Sequence, residues 1–230
     1  KISYMIIYNF KYLFMKQIIK KFIGPIRIGA SAGKTLLFIW VKNDLKNIQS
    51  KISVDLAGGS MENKKFFKTD KYICVDIDKS KLDSGKKKNP DSTIINCKIQ
   101  DFMKNEYQKN VDLLLCVQTM GTNTFFEHDE TLKTIKQMYY FLNHGGSMIF
   151  NIGAYNTNLD LLENQINEFL KEKFKTINIK SYGAFHITLE NNSHWSKRLF
   201  LAYLMNIFVP LRNLFGLRKK KLYIFCKNKI

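Results

Sequence analysis

Apolar positions along this chain follow two rhythms. Residues 2–23 read as a helix, and 36–49 as another, with Leu37, Trp40, Val41 and Leu45 at helical spacing. The pattern then changes to short runs rich in β-branched residues at 52–56, 72–76, 93–97, 111–117 and 147–152. Each has the length of a strand, and several are apolar throughout, as strands covered on both faces should be. Two further helices are interleaved with the later runs. In 129–142, Leu132, Ile135, Met138, Tyr139 and Leu142 form one stripe, which Asn143-His144-Gly145-Gly146 terminates. In 159–172, Leu159, Leu162, Ile166, Phe169 and Leu170 repeat the arrangement after Asn158, an N-cap residue type.

Strands alternating with helices predict an α/β domain with a mostly parallel, twisted sheet and helices on both faces. Segments 175–180 and 221–226 are late strands suited to an antiparallel edge. No internal repeat or second domain is evident. The expected organisation is an N-terminal helical segment over 1–50, then one domain over 51–230 with an apolar, basic insertion at about 195–220.

Composition changes this picture in three places. At 230 residues with 45% hydrophobic and 13% aromatic content, the chain is long enough for a substantial core and is not of the disordered class. Its net charge of +18 admits an anionic partner. The excess is mostly Lys rather than Arg, which equally suits a solvated surface, since readers of bases favour Arg. Cys74, Cys97, Cys116 and Cys226 lie far apart in apolar runs without a CxxC pair, so they read as small core residues, with no metal site. A reducing, cytoplasmic setting is expected. Residues 1–23 are broken by Lys11, Lys16, Lys20 and Lys21 and lack a small-residue cleavage site, so a signal peptide is not expected.

The chemistry concentrates in Val54-Asp55-Leu56-Ala57-Gly58-Gly59-Ser60 and in Tyr72-Ile73-Cys74-Val75-Asp76-Ile77-Asp78. An apolar strand runs into a turn of small residues, and a second strand ends in an acid about twenty residues on. Small residues let the backbone approach a ligand closely, and the acid can accept from both hydroxyls of a ribose. An adenosine-containing cofactor is the expected ligand.

With Val111-Asp112-Leu113-Leu114-Leu115-Cys116, the helix that follows, and Leu142-Asn143-His144-Gly145-Gly146-Ser147-Met148-Ile149-Phe150, residues 52–152 resemble the class I S-adenosylmethionine (SAM) dependent methyltransferases. The resemblance implies their Rossmann-like fold, SAM as cofactor, and roles by position. Asp55 would hold the glycine turn and approach the methionine ammonium. Ala57, Gly58 and Gly59 would form the turn beneath the cofactor. Asp76 would take the ribose hydroxyls, with Ile77 against adenine and Ile99 at its edge. Cys116 to Gln118 would lie near the sulfonium.

The chain departs from that pattern where Ala57 and Met61 replace the first and third of the usual three glycines. Alanine resists positive φ, which predicts a slightly different turn. Lys98 falls where relatives offer an acid to the adenine amino group; either Asp101 substitutes, if the loop is shifted, or the amino group faces water. Gln118-Thr119-Met120-Gly121 lacks the acid-histidine pair of many relatives. No catalytic residue is identified. The base candidates are His128, His186, His194 and Tyr155; equally, His128 adjoins a helix start, the other two histidines flank a polar loop, and Tyr155 suits a pocket wall.

Gly29-Ala30-Ser31-Ala32-Gly33-Lys34-Thr35 mimics a phosphate-binding loop, but three residues rather than four separate its glycines, so it reads as an ordinary loop. Residues 199–211, flanked by Lys197, Arg198, Arg212 and Arg218 to Lys221, would reach only about 20 Å as a helix. That is too short to span a bilayer. An in-plane membrane helix, a lid over a lipid-like acceptor, or a core helix covering the sheet all fit it.

The expected activity is methyl transfer from SAM to a small or lipid-linked acceptor, such as a saccharide or cell-envelope intermediate, with peripheral contact at the inner face of the membrane. The alternatives are a nucleic acid methyltransferase, for which no Asn/Asp-Pro-Pro-aromatic motif is present, and a non-catalytic relative of this fold serving as a membrane or protein interaction module.

Overall fold

The computed structural model describes residues 32–104, 110–121, 128–153, 159–182, 200, 203–204 and 221–230. The predicted helix over 2–23 and most of the basic apolar insertion lie outside them. The chain divides into two units: Ile39–Ser181 with Lys219–Ile230, and Lys1–Phe38 with Tyr182–Arg218. The larger unit holds every residue expected to bind the cofactor, together with His128 and Tyr155; His186 and His194 belong to the smaller.

The strands are β1 (Gln49–Leu56), β2 (Lys68–Asp76), β3 (Thr93–Asn96), β4 (Val111–Met120), β5 (Leu142–Gly153), β6 (Phe174–Tyr182) and β7 (Lys221–Lys229). They form one sheet in the order β3-β2-β1-β4-β5-β7-β6. The pairs β1–β2, β2–β3, β1–β4 and β4–β5 are parallel, and β7 runs antiparallel to β5, one strand in from the edge. The central strands are β-branched and leucine-rich because both of their faces are covered. Val54, Leu56, Ile73, Val75 and Leu113 to Cys116 are fully buried.

Helices α1 (Ala32–Leu45), α2 (Lys79–Lys88), α3 (Ile99–Phe102), α4 (His128–Phe141) and α5 (Leu159–Leu170) occupy both faces. Phe102, Ile135, Met138, Leu162 and Ile166 join the main core with Ile73, Val75, Leu222 and Ile224. Residues of opposite parity point the other way. Tyr72 and Cys74 pack with Leu82 of α2 and with Met61, and Tyr223 meets Trp40 of α1 and donates to Asp44 Oδ2 at 2.6 Å.

Two expectations need correction. The helix expected over 36–49 spans Ala32–Leu45, so the end of the false phosphate-binding loop, Ala32 to Thr35, is the first turn of a helix. The helix stops early, and from Gln49 the chain pairs with β2 as β1, where the N–H groups of Lys51 and Ile52 both donate to Asp112 Oδ2 at 2.9 Å. Helix α2 left no apolar stripe to read, since only Leu82 and Gly85 are buried. It is started by Asp78, whose side chain accepts from the Lys81 N–H at its N-cap.

Candidate functional site

From β1 the chain winds outward through β2 and β3, then returns to lay β4 on the other side of β1. Ligands of open α/β sheets bind at the carboxyl ends of strands beside such a reversal. Here that place holds the turn after β1 and the acid that ends β2.

The turn alternates in handedness. Ala57, Gly59 and Met61 have φ of 57°, 52° and 60°. These are the three positions where the resemblance expects glycine, and the turn is left-handed at each with alanine and methionine at two of them. Ala57 thus adopts the positive φ that alanine ordinarily resists. The two side chains cost on the order of 1–2 kcal/mol each. Between them, Gly58 is required by contact: a Cβ there would lie 2.7 Å from Cys74 Sγ and 2.8 Å from the Asp55 carboxylate. The Gly58 N–H donates to Val75 O at 3.3 Å, and Gly58 O accepts from Met61 N–H at 2.9 Å.

Asp76 ties this turn to the second strand. Its Oδ2 accepts from the Gly59 N–H at 2.9 Å and its Oδ1 from the Asp78 N–H at 2.8 Å. Each carboxylate oxygen keeps a second lone pair. From the end of β3, Asn96 Nδ2 donates to the carbonyls of Asp76 and Ile77 at 2.9 and 3.0 Å, fixing the segment after the acid. Ile77 is 55% exposed, an apolar surface left open at the sheet end.

Asp55 is buried beneath the turn. Its Oδ2 accepts from the Tyr72 hydroxyl at 2.8 Å and from Asn63 Nδ2 at 3.2 Å, the latter bond spanning the turn. Its Oδ1 is buried with no hydrogen-bond partner among the described residues, as is Oδ1 of Asn63. Burial pushes the Asp55 carboxyl up to about 7, against the lowering pull of Tyr72 and Asn63, and Asp76 adds to the rise. Burial, reinforced by Asp55, pushes the Tyr72 hydroxyl and Cys74 thiol well above their ordinary values, so both stay protonated.

The remaining expected residues lie on α3, β4 and α4 or outside the described residues. Ile99 is buried in the main core at the start of α3. Asp101, the substitute for Lys98, is exposed and pairs with Lys104 at 3.4 Å. Cys116 is sealed in the sheet opposite Leu56, and burial pushes its thiol up to about 12. Gln118 has its side chain exposed, with φ of 64° where β4 loses register with β5, and its N–H donates to Asn151 Oδ1 at 2.6 Å. His128 opens α4; its side chain, and Tyr155, His186 and His194, lie outside the described residues.

Sequence reading missed Tyr72, Asn63, Asn96 and Asn151. Tyr72 alone left a signal. In β2 it has the same parity as Cys74 and Asp76, and the strand register sets Asp55 opposite Cys74.

No protein-family model matches the sequence, and no curated protein is similar enough to count as a relative. Solved structures do match in fold. A SAM-dependent methyltransferase from Archaeoglobus fulgidus aligns with a TM-score of 0.53 and 11% identity over 94% of this chain and 99% of that one. An S-adenosylmethionine-dependent methyltransferase from Clostridium acetobutylicum gives 0.50 and 15% over 94% and 99%. The plantazolicin methyltransferase BpumL, in complex with SAH, gives 0.50 and 12% over 86% and 85%. The chain has the class I SAM-dependent methyltransferase fold, with its strand order and its antiparallel seventh strand.

Proposed function

We propose that this chain transfers a methyl group from SAM to a small or lipid-linked acceptor. The observation that carries the cofactor reading is the junction of the left-handed turn at 57, 59 and 61 with the Asp76 carboxylate through the Gly59 N–H. The residues present suit the cofactor. Asp76 offers lone pairs for the ribose hydroxyls, Ile77 an open apolar face for adenine, and Asp55 a buried oxygen in want of a donor.

SAM supplies an activated sulfonium methyl for in-line displacement. The protein's contribution is then chiefly placement, which supplies about 7–11 kcal/mol in well-oriented reactions. Gly58 and Gly59 leave the turn without side chains at its closest approach, Asp76 fixes it to β2, and Asn96 holds the segment bearing Ile77. A base is needed only where the acceptor is a hydroxyl or similarly weak acid. His128, Tyr155, His186 and His194 remain the proposed candidates.

The acceptor class rests on the apolar, cationic segment near residues 195–220. Its described residues Phe200, Tyr203 and Leu204 are helical, and Phe200 and Tyr203 are 67% and 51% exposed. Exposed aromatics with flanking cations suit contact with a lipid surface or lipid-linked substrate. Among the described residues no helix is long and apolar enough to cross a membrane, so the proposed contact is peripheral, at the cytoplasmic face.

Incubation with methyl-labelled SAM and either a lipid-linked saccharide fraction or total RNA tests the reading. Label in the lipid or saccharide fraction supports it. Label in RNA alone would assign the acceptor to nucleic acid, the reading that draws on the +18 charge.

A further inference from the structure

We propose that Lys81 is a specificity-determining residue of the cofactor site: its ammonium, held near Asp76 at the open face of Gly59, donates to the ribose hydroxyls. Asp76 and Lys81 then read the diol as an acceptor and donor pair. The inference rests on the SAM-binding reading and deepens it by naming a residue that tells a ribose from a deoxyribose.

One line of hydrogen bonds runs from the turn to the start of α2. The Gly59 N–H donates to Asp76 Oδ2 and the Asp78 N–H to Asp76 Oδ1. Asp78 in turn accepts from the Lys81 N–H at 3.2 Å, and its Oδ2 pairs with Lys81 Nζ at 3.1 Å. The bond to Asp78, and that residue's charge, hold the Lys81 ammonium above its ordinary pKa. Asp76 adds to the rise, so its charge also acts on the lysine. Lys79, in the same helical turn, is instead drawn along α2 to Asp83. A cation in the first turn opposes the helix dipole. Helix formation therefore gives no reason for a lysine at position 81, and departures of this kind gather at functional sites.

There is room for a ligand between the two groups. A Cβ on Gly59 would meet Lys81 Cδ at 3.6 Å and Asp76 Oδ2 at 3.8 Å, and nothing nearer among the described residues. Both are ordinary contact distances, so the turn has an open face bordered by the lysine stem and the carboxylate. The Lys81 side chain is 62% exposed, and a ligand reaches it without disturbing the core. The chemistry matches. A hydroxyl has one donor and two acceptor lone pairs, and a carboxylate uses only the donor. An ammonium has three donors. Asp78 takes one from Lys81, and the ammonium has no second partner among the described residues. Its remaining donors suit the lone pairs of the hydroxyls that Asp76 would bind.

The test is calorimetry on the full chain with three probes: S-adenosylhomocysteine, its 2′-deoxy analogue and its 3′-deoxy analogue. Lys81→Met keeps an unbranched stem and removes the ammonium. It is expected to weaken S-adenosylhomocysteine about three- to tenfold, the size of a bond to a charged group reduced for exposure to solvent. The penalty for deleting at least one of the two hydroxyls should shrink by the same factor, because the bond it would have broken is already gone. Equal weakening of all three probes would make Lys81 a support of α2 or of the turn and overturn the inference. Unchanged affinities would also overturn it, leaving the lysine as a surface partner of Asp78; in both cases the SAM-binding reading stands. A folded wild type that does not bind S-adenosylhomocysteine would overturn that reading and this inference together.

Discussion

Gly85 and Met61 are complementary: a Cβ on Gly85 would come within 2.9 Å of Met61 Cγ and 2.8 Å of the Ser60 backbone. The third left-handed position of the turn therefore carries a buried side chain because helix α2 omits one opposite it. Met61 is 2% exposed and packs with Leu82, Tyr72 and Cys74. Gly85→Ala should destabilise the fold by about 1–3 kcal/mol through overpacking. Met61→Gly should cost about 2–5 kcal/mol for the lost side chain, less about 1–2 kcal/mol of relieved backbone. In urea titrations the double variant should lose less than the sum of the two, because the new methyl enters the vacated space.

Ala57 is the opposite case. It holds φ of 57° with only a methyl group to place. Ala57→Gly should raise stability, since relief of about 1–2 kcal/mol exceeds the roughly 0.4–1 kcal/mol of added freedom in the unfolded chain. A lower urea midpoint for this variant would mean that the alanine is not strained.

Gly58→Ala forces a methyl against Cys74 Sγ and the Asp55 carboxylate, both already buried. A loss of about 1–3 kcal/mol of stability is expected, with weaker binding of SAM in the same titration series. Normal stability with normal SAM affinity would show that the turn has more room than its contacts indicate.

Asp55 gives stability an uncommon pH dependence. Its carboxyl is raised from 3.8 to about 7 in the folded chain, so between those values the native state holds a proton that the unfolded state has released. Stability contributed by this group therefore falls as pH rises through that window, by up to about 1.4 kcal/mol per pH unit, and levels off above it. Asp55→Asn should remove the slope in urea titrations between pH 5 and 8. A wild-type slope that survives the substitution would place the titrating group elsewhere.

The sheet was legible because its strands are buried on both faces, as Leu113 to Cys116 and Met148 to Phe150 show. Lengths were less so. The first half of β2, Lys68 to Lys71, is polar and largely exposed, and only its pairing with β1 makes it a strand. Helix α2 hid behind its lysines, and α1 was misjudged because the chain becomes extended from Gln49 by pairing with Lys68, a partner that local pattern does not reveal. Within the site, Asp55, Gly58, Gly59 and Asp76 could be read from type and spacing alone. The positive φ at Ala57 and Met61 could not, since residue type argues against it and only Gly85, far along the chain, makes room for Met61. Tyr72 and Asn63 are partners assigned by register and by the closing of the turn; parity within β2 is the one local sign of Tyr72, and none marks Asn63.

The central claim is that the turn after β1 and the acid ending β2 form one SAM site, and calorimetric titration of the purified chain with SAM, repeated on Asp76→Ala, tests it most directly. The substitution removes the acceptor of the Gly59 N–H along with the proposed ribose acceptor. Micromolar binding by the wild type, weakened at least about a hundredfold in the variant as two charge-assisted hydrogen bonds are lost, is the predicted result. Binding that persists in folded Asp76→Ala, or a folded wild type that does not bind SAM, would contradict it.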